Sequence, residues 1–151
     1  MAMNRTSGGS RTELAWRLLA GVGARRTQAR VLVVEVLARA SGHLSVAAIH
    51  QQIAATRPEI NVSTVHRTVA FLLEQGVAHV LPWPGEAQYG LNDSPHVHAI
   101  CEECGAHVEL PADDLGSAVA AAQRSSDLDL GPAGLALFGR CAGCRSRRPS
   151  G

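Results

Sequence analysis

A mixed α/β (α+β) chain of two small domains, a helical one ending in a β-hairpin and then a small α/β one, is what the sequence predicts. Three observations predict it. Capping residues and apolar spacing mark four short helices ahead of Gly76 and two strand-like runs after it. A turn-rich break, Asn92-Asp93-Ser94-Pro95, interrupts the chain. Charge also splits: residues 1–84 hold nine Arg against four acids (+5), and residues 85–151 hold five Arg against nine acids (−4). A length of 151 residues suits one ordinary domain or two very small ones.

The elements follow in order. Glu13–Leu19 is amphipathic and ends near Gly21 and Gly23. Thr27 caps a helix over Gln28–Ala40 with Val31, Val34 and Leu37 on one face, stopped by Gly42. Ser45 caps Val46–Thr56, which ends before Pro58. Asn61 or Ser63 caps a fourth helix with Val62, Val65, Val69, Leu72 and Leu73 on one stripe, closed by Gly76. Val77–Leu81 and Ala87–Leu91 read as strands around Pro82-Trp83-Pro84-Gly85. Short helices followed by a β-hairpin are the order of a winged helix-turn-helix. Beyond the break, His96–Cys101 and His107–Leu110 are strand-like, and Pro111 opens a helix over Ala112–Gln123 with Leu115 and Val119 inward. Arg124–Gly131 reads as a loop and Leu135–Arg140 as a last strand. The expected organisation is a disordered tail 1–12, a winged-helix domain 13–92, a hinge 93–95, a small α/β domain 96–145 and a mobile tail that begins near Arg145 and takes in 146–151.

Composition excludes several functions. All 14 basic residues are Arg, which removes lysine nucleophiles, Schiff bases and a P-loop lysine. Aromatics at 3% leave no stacking platform for single strands. Met1–Thr12 has no apolar stretch of a secretory signal, and no run approaches the ~18 apolar residues of a membrane span, so the expected location is the cytoplasm, without membrane contact.

The basic half points to a polyanion. The fourth helix turns Ser63, Thr64, His66, Arg67 and Ala70 away from its apolar stripe, and such a helix fits a DNA major groove. Arg25, Arg26 and Arg30 flank the second helix and suit phosphate or a narrow minor groove. The expected nucleic-acid contacts are therefore Arg25, Arg26, Arg30, Ser63, Thr64, His66 and Arg67. Solvated surface charge is the alternative reading of the same residues.

The only cysteines form two pairs, Cys101-x-x-Cys104 and Cys141-x-x-Cys144. Two such pairs with none spare read as a closed four-thiolate zinc site, which is structural because it keeps no open position. A domain of about fifty residues lacks a secure core of its own, and zinc supplies the difference. A second constellation lies close by. His96 and His98 share one face of a strand, Glu109 lies on the next strand-like segment, and His43 sits in the first domain. An ion held by His43, His96, His98 and Glu109 would link the two domains and act as a switch. His50, His66 and His79 are expected to stay outside any ligand set.

These stretches resemble the ferric-uptake-regulator (Fur) family. The resemblance rests on Arg26-Thr27-Gln28-Ala29-Arg30, on Val62-Ser63-Thr64-Val65-His66-Arg67-Thr68-Val69, on His96-Val97-His98-Ala99-Ile100-Cys101-Glu102-Glu103-Cys104-Gly105 and on Phe138-Gly139-Arg140-Cys141-Ala142-Gly143-Cys144, and spans Glu13 to Cys144. It implies a homodimeric, metal-activated repressor with a winged helix and an α/β dimerisation domain, acting on AT-rich palindromic double-stranded DNA. It further implies structural zinc at Cys101, Cys104, Cys141 and Cys144 and a regulatory metal at His43, His96, His98 and Glu109. Four departures stand out. His66 replaces the family's usual Tyr. Gln28-Ala29 replaces Pro-Gln. Gly90 stands where many members carry a carboxylate or Cys ligand, leaving water, Gln88 or Asp93 to complete the shell. A further family site falls on Pro95, Val97 and Ala133, none able to bind metal, so that site is expected to be absent.

Imidazole plus carboxylate suits Fe(II) or Mn(II). The peroxide-sensing branch, in which bound iron oxidises a His ligand, is similar around His98-Ala99-Ile100-Cys101-Glu102 but carries Asp at the position of Glu109. A zinc-responsive repressor of the same family is the alternative, followed by a zinc-knuckle interaction module that does not bind DNA. A hydrolytic zinc enzyme on His96, His98 and Glu109 with Glu103 as base is disfavoured by the absence of HExxH, so the chain reads as no enzyme.

Overall fold

The structure is a computed structural model that describes residues 8–81, 85–92, 96–130 and 135–147. The chain divides into two compact units, Met1–Asp93 and Ser94–Gly151.

The first unit holds α1 (Gly8–Gly21), α2 (Gln28–Arg39), β1 (Leu44–Ser45), α3 (Val46–Ala54), α4 (Val62–Glu74), β2 (Ala78–Leu81) and β3 (Gln88–Leu91). Side-chain caps start three of the helices. The Thr27 hydroxyl accepts from the Arg30 amide at 3.4 Å, Ser45 Oγ from the Ala48 amide at 3.1 Å, and Asn61 Oδ1 from the Thr64 amide at 2.9 Å. Asn61, not Ser63, is thus the cap of α4. Gly76 ends the turn after α4 with φ +69°, a backbone angle that glycine adopts without strain. Leu19, Val33, Val34, Leu37, Ile49, Ile53, Val65, Val69, Leu72, Val77 and Leu91 pack as one core. The three strands form an antiparallel sheet ordered β1-β3-β2.

Several expectations are corrected here. Helix α1 begins at Gly8, five residues ahead of Glu13 and inside the expected tail. The inner face of α2 is Val33, Val34, Leu37 and Ala38, with Val31 half-buried. In α4, Val62 is 42% exposed, and Thr68 is buried instead. Its hydroxyl can be buried because it donates to the Thr64 carbonyl at 2.8 Å. Pro82, Trp83 and Pro84 of the expected turn lie outside the described residues.

The second unit holds β4 (His96–Cys101), β5 (His107–Pro111), a 3-10 turn (Ala112–Leu115), α5 (Gly116–Ser126), β6 (Ala136–Gly139) and α6 (Ala142–Ser146). Its sheet is ordered β5-β4-β6, antiparallel between β4 and β5 and parallel between β4 and β6. The helix expected over Ala112–Gln123 starts as the 3-10 turn and then continues as α5 to Ser126, into the expected loop. Asp127 stops it in the left-handed region at φ 56°. No residue of α5 is buried, and Leu115 and Val119 are half-buried. Helix α6 lies beyond the expected elements. The Cys141 carbonyl starts it by accepting from the amides of Cys144 and Arg145, and it carries the chain to Ser146, past the expected start of the tail at Arg145. The buried apolar set among the described residues is small: Val97, Ile100, Cys101, Ala112 and Cys144. In-register pairing places Val108, Ala99 and Leu137 in one row on one face of the sheet, with Val108 59% and Leu137 41% exposed.

Candidate metal centres and nucleic-acid face

The two CxxC pairs converge in the second unit. Cys101 ends β4, Cys104 follows in the turn to β5, Cys141 follows β6 and Cys144 lies on α6. All four are free thiols, and their sulfurs lie within 4.8 Å of one another. Cys104 Sγ and Cys141 Sγ are 3.7 Å apart. Four sulfurs bonded to zinc at ~2.3 Å in a tetrahedron would be spaced about 3.8 Å apart, so the thiols fit that ion. The backbone makes thiolate character here. The Cys141 amide donates to Cys101 Sγ at 3.3 Å, and this bond, reinforced by the Cys104 amide, lowers Cys101 to about 6. The Cys144 amide likewise lowers Cys141. Cys144 is pushed up to about 12, first by Cys141 and then by Cys104, because further negative charge in so small a space needs a cation. Outside the sulfurs, Arg140 Nε meets Glu103 Oε1 at 2.7 Å, tying one knuckle to the other.

Both units contribute histidines, and each unit is described by itself. In the second unit, His98 and Glu109 stand opposite each other on β4 and β5, with His98 Nε2 and Glu109 Oε1 4.0 Å apart. His98 is buried. The His107 ring lies 6.4 Å from that of His98, centroid to centroid. His96 is on β4 in register with Pro111, and its side chain lies outside the described set. Of the positions expected to lack a further site, Val97 is fully buried, while Pro95 and Ala133 lie outside the described residues.

In the first unit, His43 precedes β1 and His79 lies on β2, with β3 between them. Their Nε2 atoms are 2.7 Å apart. Gly90 of β3, paired with His79, lies beneath both rings. A Cβ on Gly90 would come within 2.9 Å of His43 Cδ2 and 3.2 Å of His79 Cε1. His79 Nδ1 is 2.8 Å from Asn92 Oδ1, and Asn92 Nδ2 donates to the carbonyls of Gly76 and Ala78. His79 and Asn92 are outside the set expected from sequence. Their role depends on strand order, which spacing along the chain does not display. His50 is placed differently, with Nε2 3.0 Å from the Ile60 carbonyl.

Helix α4 presents Ser63, His66, Arg67 and Ala70 to the outside, with Thr64 half-buried. Thr64 Oγ1 donates to Asn61 Oδ1 at 3.0 Å and accepts from Arg67 Nη2 at 3.5 Å, so Thr64 steadies the helix start and the Arg67 head. Two of the three flanking arginines are held by aromatic rings. Arg26 lies 4.4 Å over Trp16, and Arg30 lies 3.7 Å over Phe71 while donating to the Arg25 carbonyl at 2.9 Å. Arg25 is exposed.

The family model described as the ferric uptake regulator family matches residues 21–134. This chain belongs to that family. Among its relatives is the peroxide-responsive repressor PerR of Staphylococcus aureus (strain USA300), 25% identical over 126 residues, which cover 83% of this chain and 85% of that protein. Among solved structures, the ferric uptake regulator Fur of Helicobacter pylori superposes with a TM-score of 0.70 at 23% identity, covering 93% of this chain and 95% of that one. A zinc uptake regulator complexed with zinc and DNA superposes with a TM-score of 0.69 at 23% identity, covering 93% and 97%. This Fur-family regulator therefore has the fold of those proteins, a winged helix followed by a small α/β unit. Among its described residues, no helix is long and apolar enough to cross a membrane.

Proposed function

We propose that this Fur-family chain is a cytoplasmic, metal-responsive repressor that binds AT-rich palindromic double-stranded DNA as a homodimer and is not an enzyme. It holds a structural zinc on Cys101, Cys104, Cys141 and Cys144. A second, exchangeable divalent ion draws its ligands from His43, His96, His98 and Glu109. Fe(II) or Mn(II) is favoured by the carboxylate, and a response to peroxide through bound iron belongs to the same reading. The observation that carries it is the joint presence of a four-thiol cluster of zinc dimensions and, on the winged helix, an exposed face of Ser63, His66 and Arg67. Arg25, Arg26, Arg30, Ser63, Thr64, His66 and Arg67 are the proposed DNA contacts.

A second copy suits the surface of the second unit. Its sheet leaves the edge strands β5 and β6 unpaired on their outer sides among the described residues, and Val108, Leu137 and Phe138 are exposed. The test is elemental analysis before and after mild chelation, alongside gel shifts. Two metals per chain, one resistant and one exchangeable, with a DNA shift lost in Arg67→Ala, is the expected result. Shifts by neither protein would leave an interaction module instead.

Zinc as the exchangeable ion is the second reading, and the His43–His79 pair favours it. A nitrogen-rich donor set suits zinc better than a set dominated by carboxylates.

A further inference from the structure

Two aromatic rings lie beneath two of the arginines at the start of α2. Trp16 of α1 and Phe71 of α4 pack against the core of the first unit, and both are only half-buried. The Arg26 guanidinium covers the Trp16 ring at 4.4 Å, and the Arg30 guanidinium covers the Phe71 ring at 3.7 Å. The face of an aromatic ring carries the negative part of its quadrupole, and a planar guanidinium stacks on it. Arg30 has a second hold, because its Nη1 donates to the Arg25 carbonyl at 2.9 Å. The rings are anchored in the core, so the arginine heads share its rigidity.

What holds these heads does not neutralise them. Among the described residues, neither Arg26 nor Arg30 is paired with a carboxylate. A carboxylate would fix an arginine equally well, but its charge would oppose an arriving anion. A ring and a carbonyl fix the side chain and leave its whole charge for a phosphate. Phe71 also decides where the Arg30 head rests. Thr64, Arg67 and Phe71 are spaced i, i+3 and i+7 along α4 and share one face of it. On that face Thr64 Oγ1 accepts from Arg67 Nη2, and the Arg30 head lies on the ring one turn along from Arg67. A cation from α2 is thereby set beside the exposed cation of α4.

We propose that Phe71 and Trp16 are positioning residues for DNA binding: each ring holds an arginine head, Arg30 and Arg26 respectively, in place for a backbone phosphate of the duplex. The proposal rests on the reading that this face binds double-stranded DNA. An arginine free in solvent gives up its rotamer freedom when it meets a phosphate, whereas a head already stacked on a ring has given it up beforehand. The rings therefore raise affinity without touching DNA. They change how tightly the duplex is held at a given salt concentration, not how many phosphates are neutralised.

The experiment uses the full chain with its structural zinc retained and Mn(II), Fe(II) or Zn(II) added, and a palindromic duplex selected from a random pool. Fluorescence anisotropy gives Kd over a series of salt concentrations. Phe71→Leu should weaken binding by about 3–10-fold with an unchanged salt slope, and Phe71→Tyr, which keeps the ring, should bind like the parent. Arg30→Ala should reduce the slope by about 1. Adding Phe71→Leu to Arg30→Ala should bring no further loss, because the ring acts only through that arginine. Trp16→Leu and Trp16→Phe should repeat the pattern against Arg26→Ala. In the parent without DNA, NMR should show the Arg30 Hδ protons moved upfield by the ring current of Phe71. That signal needs no variant, and urea midpoints identify any variant that fails to fold. An Arg30 side chain without the upfield shift, a Phe71→Leu protein that binds like the parent, or a loss just as large in the Arg30→Ala background makes the ring ordinary core packing; the inference then fails and the proposed function stands. If the parent binds no duplex with any of the three metals, both fail.

Discussion

Removing the metal from the thiol cluster should unfold one unit and leave the other intact. Among the described residues, the apolar side chains buried in the second unit, other than cysteines, are Val97, Ile100 and Ala112. At ~1.5–3 kcal/mol for a fully buried Val or Ile side chain, they contribute on the order of 5 kcal/mol. A structural zinc on four thiolates contributes ~10 kcal/mol or more to folding. Zinc held by the four thiols would thus stabilise this unit more than its apolar core does. Its loss exceeds what the remaining contacts can offset in a small domain of marginal stability, ~5–15 kcal/mol. The first unit does not use the cluster and keeps the packing of Leu19, Leu37, Ile49, Leu72 and their neighbours. The assay is hydrogen exchange by mass spectrometry on the full chain, for the parent, the parent with a strong chelator, and Cys104→Ser. Amides of β4, β5 and β6 should lose protection in the last two, while those of α2, α3 and α4 stay slow. Protection in the second sheet that survives proven metal loss would refute the reasoning, as would simultaneous loss in both units.

Three other outcomes follow from the same structure. Arg67→Ala should weaken DNA binding by ~1–3 kcal/mol if Arg67 reads a base, with sequence discrimination relaxed at one position; a uniform loss with a salt slope smaller by about 1 would mark a phosphate contact instead. Asn61→Ala should cost ~1 kcal/mol of stability by removing the cap of α4, read as a lower urea midpoint with an unchanged slope, whereas Ser63→Ala should change stability by a few tenths at most. Zinc loading should release protons at pH 7. Cys101, near 6, is already largely thiolate there, whereas Cys144, near 12, still carries its proton, so zinc affinity rises with pH; calorimetry in buffers of different ionisation heat measures the release.

The features legible in the sequence are the local ones. A cap acts over three residues, so Thr27 and Ser45 announce α2 and α3, and Asn61 or Ser63 announces α4, the structure choosing Asn61. A CxxC pair gives two thiols from one turn, and four such thiols without spares imply a single cluster. His98 and Glu109 are legible as neighbours because adjacent strands with period two bring them opposite each other. What stays hidden depends on distant pairing. Strand β1 is two residues long and exists through Gln88 and Tyr89. His79 gains its neighbour only through the order β1-β3-β2, and Asn92 acts through carbonyls 14 and 16 residues away. Arg26 and Arg30 look like free cations along the chain, yet Trp16 and Phe71 lie beneath them. Val62 fits the apolar stripe by spacing but lies on the first turn, at the outer edge of the stripe, and Thr68 replaces it by satisfying its hydroxyl within the helix.

One titration tests the proposed switch most directly. The full chain, holding only its structural zinc, is mixed without oxygen with an AT-rich palindromic duplex selected from a random pool, and Mn(II), Fe(II) or Zn(II) is then added at fixed salt. Affinity should rise by tenfold or more on filling the second site, with one further metal bound per chain and reversal by mild chelation. Equal affinity before and after that metal is bound would contradict metal control of this protein.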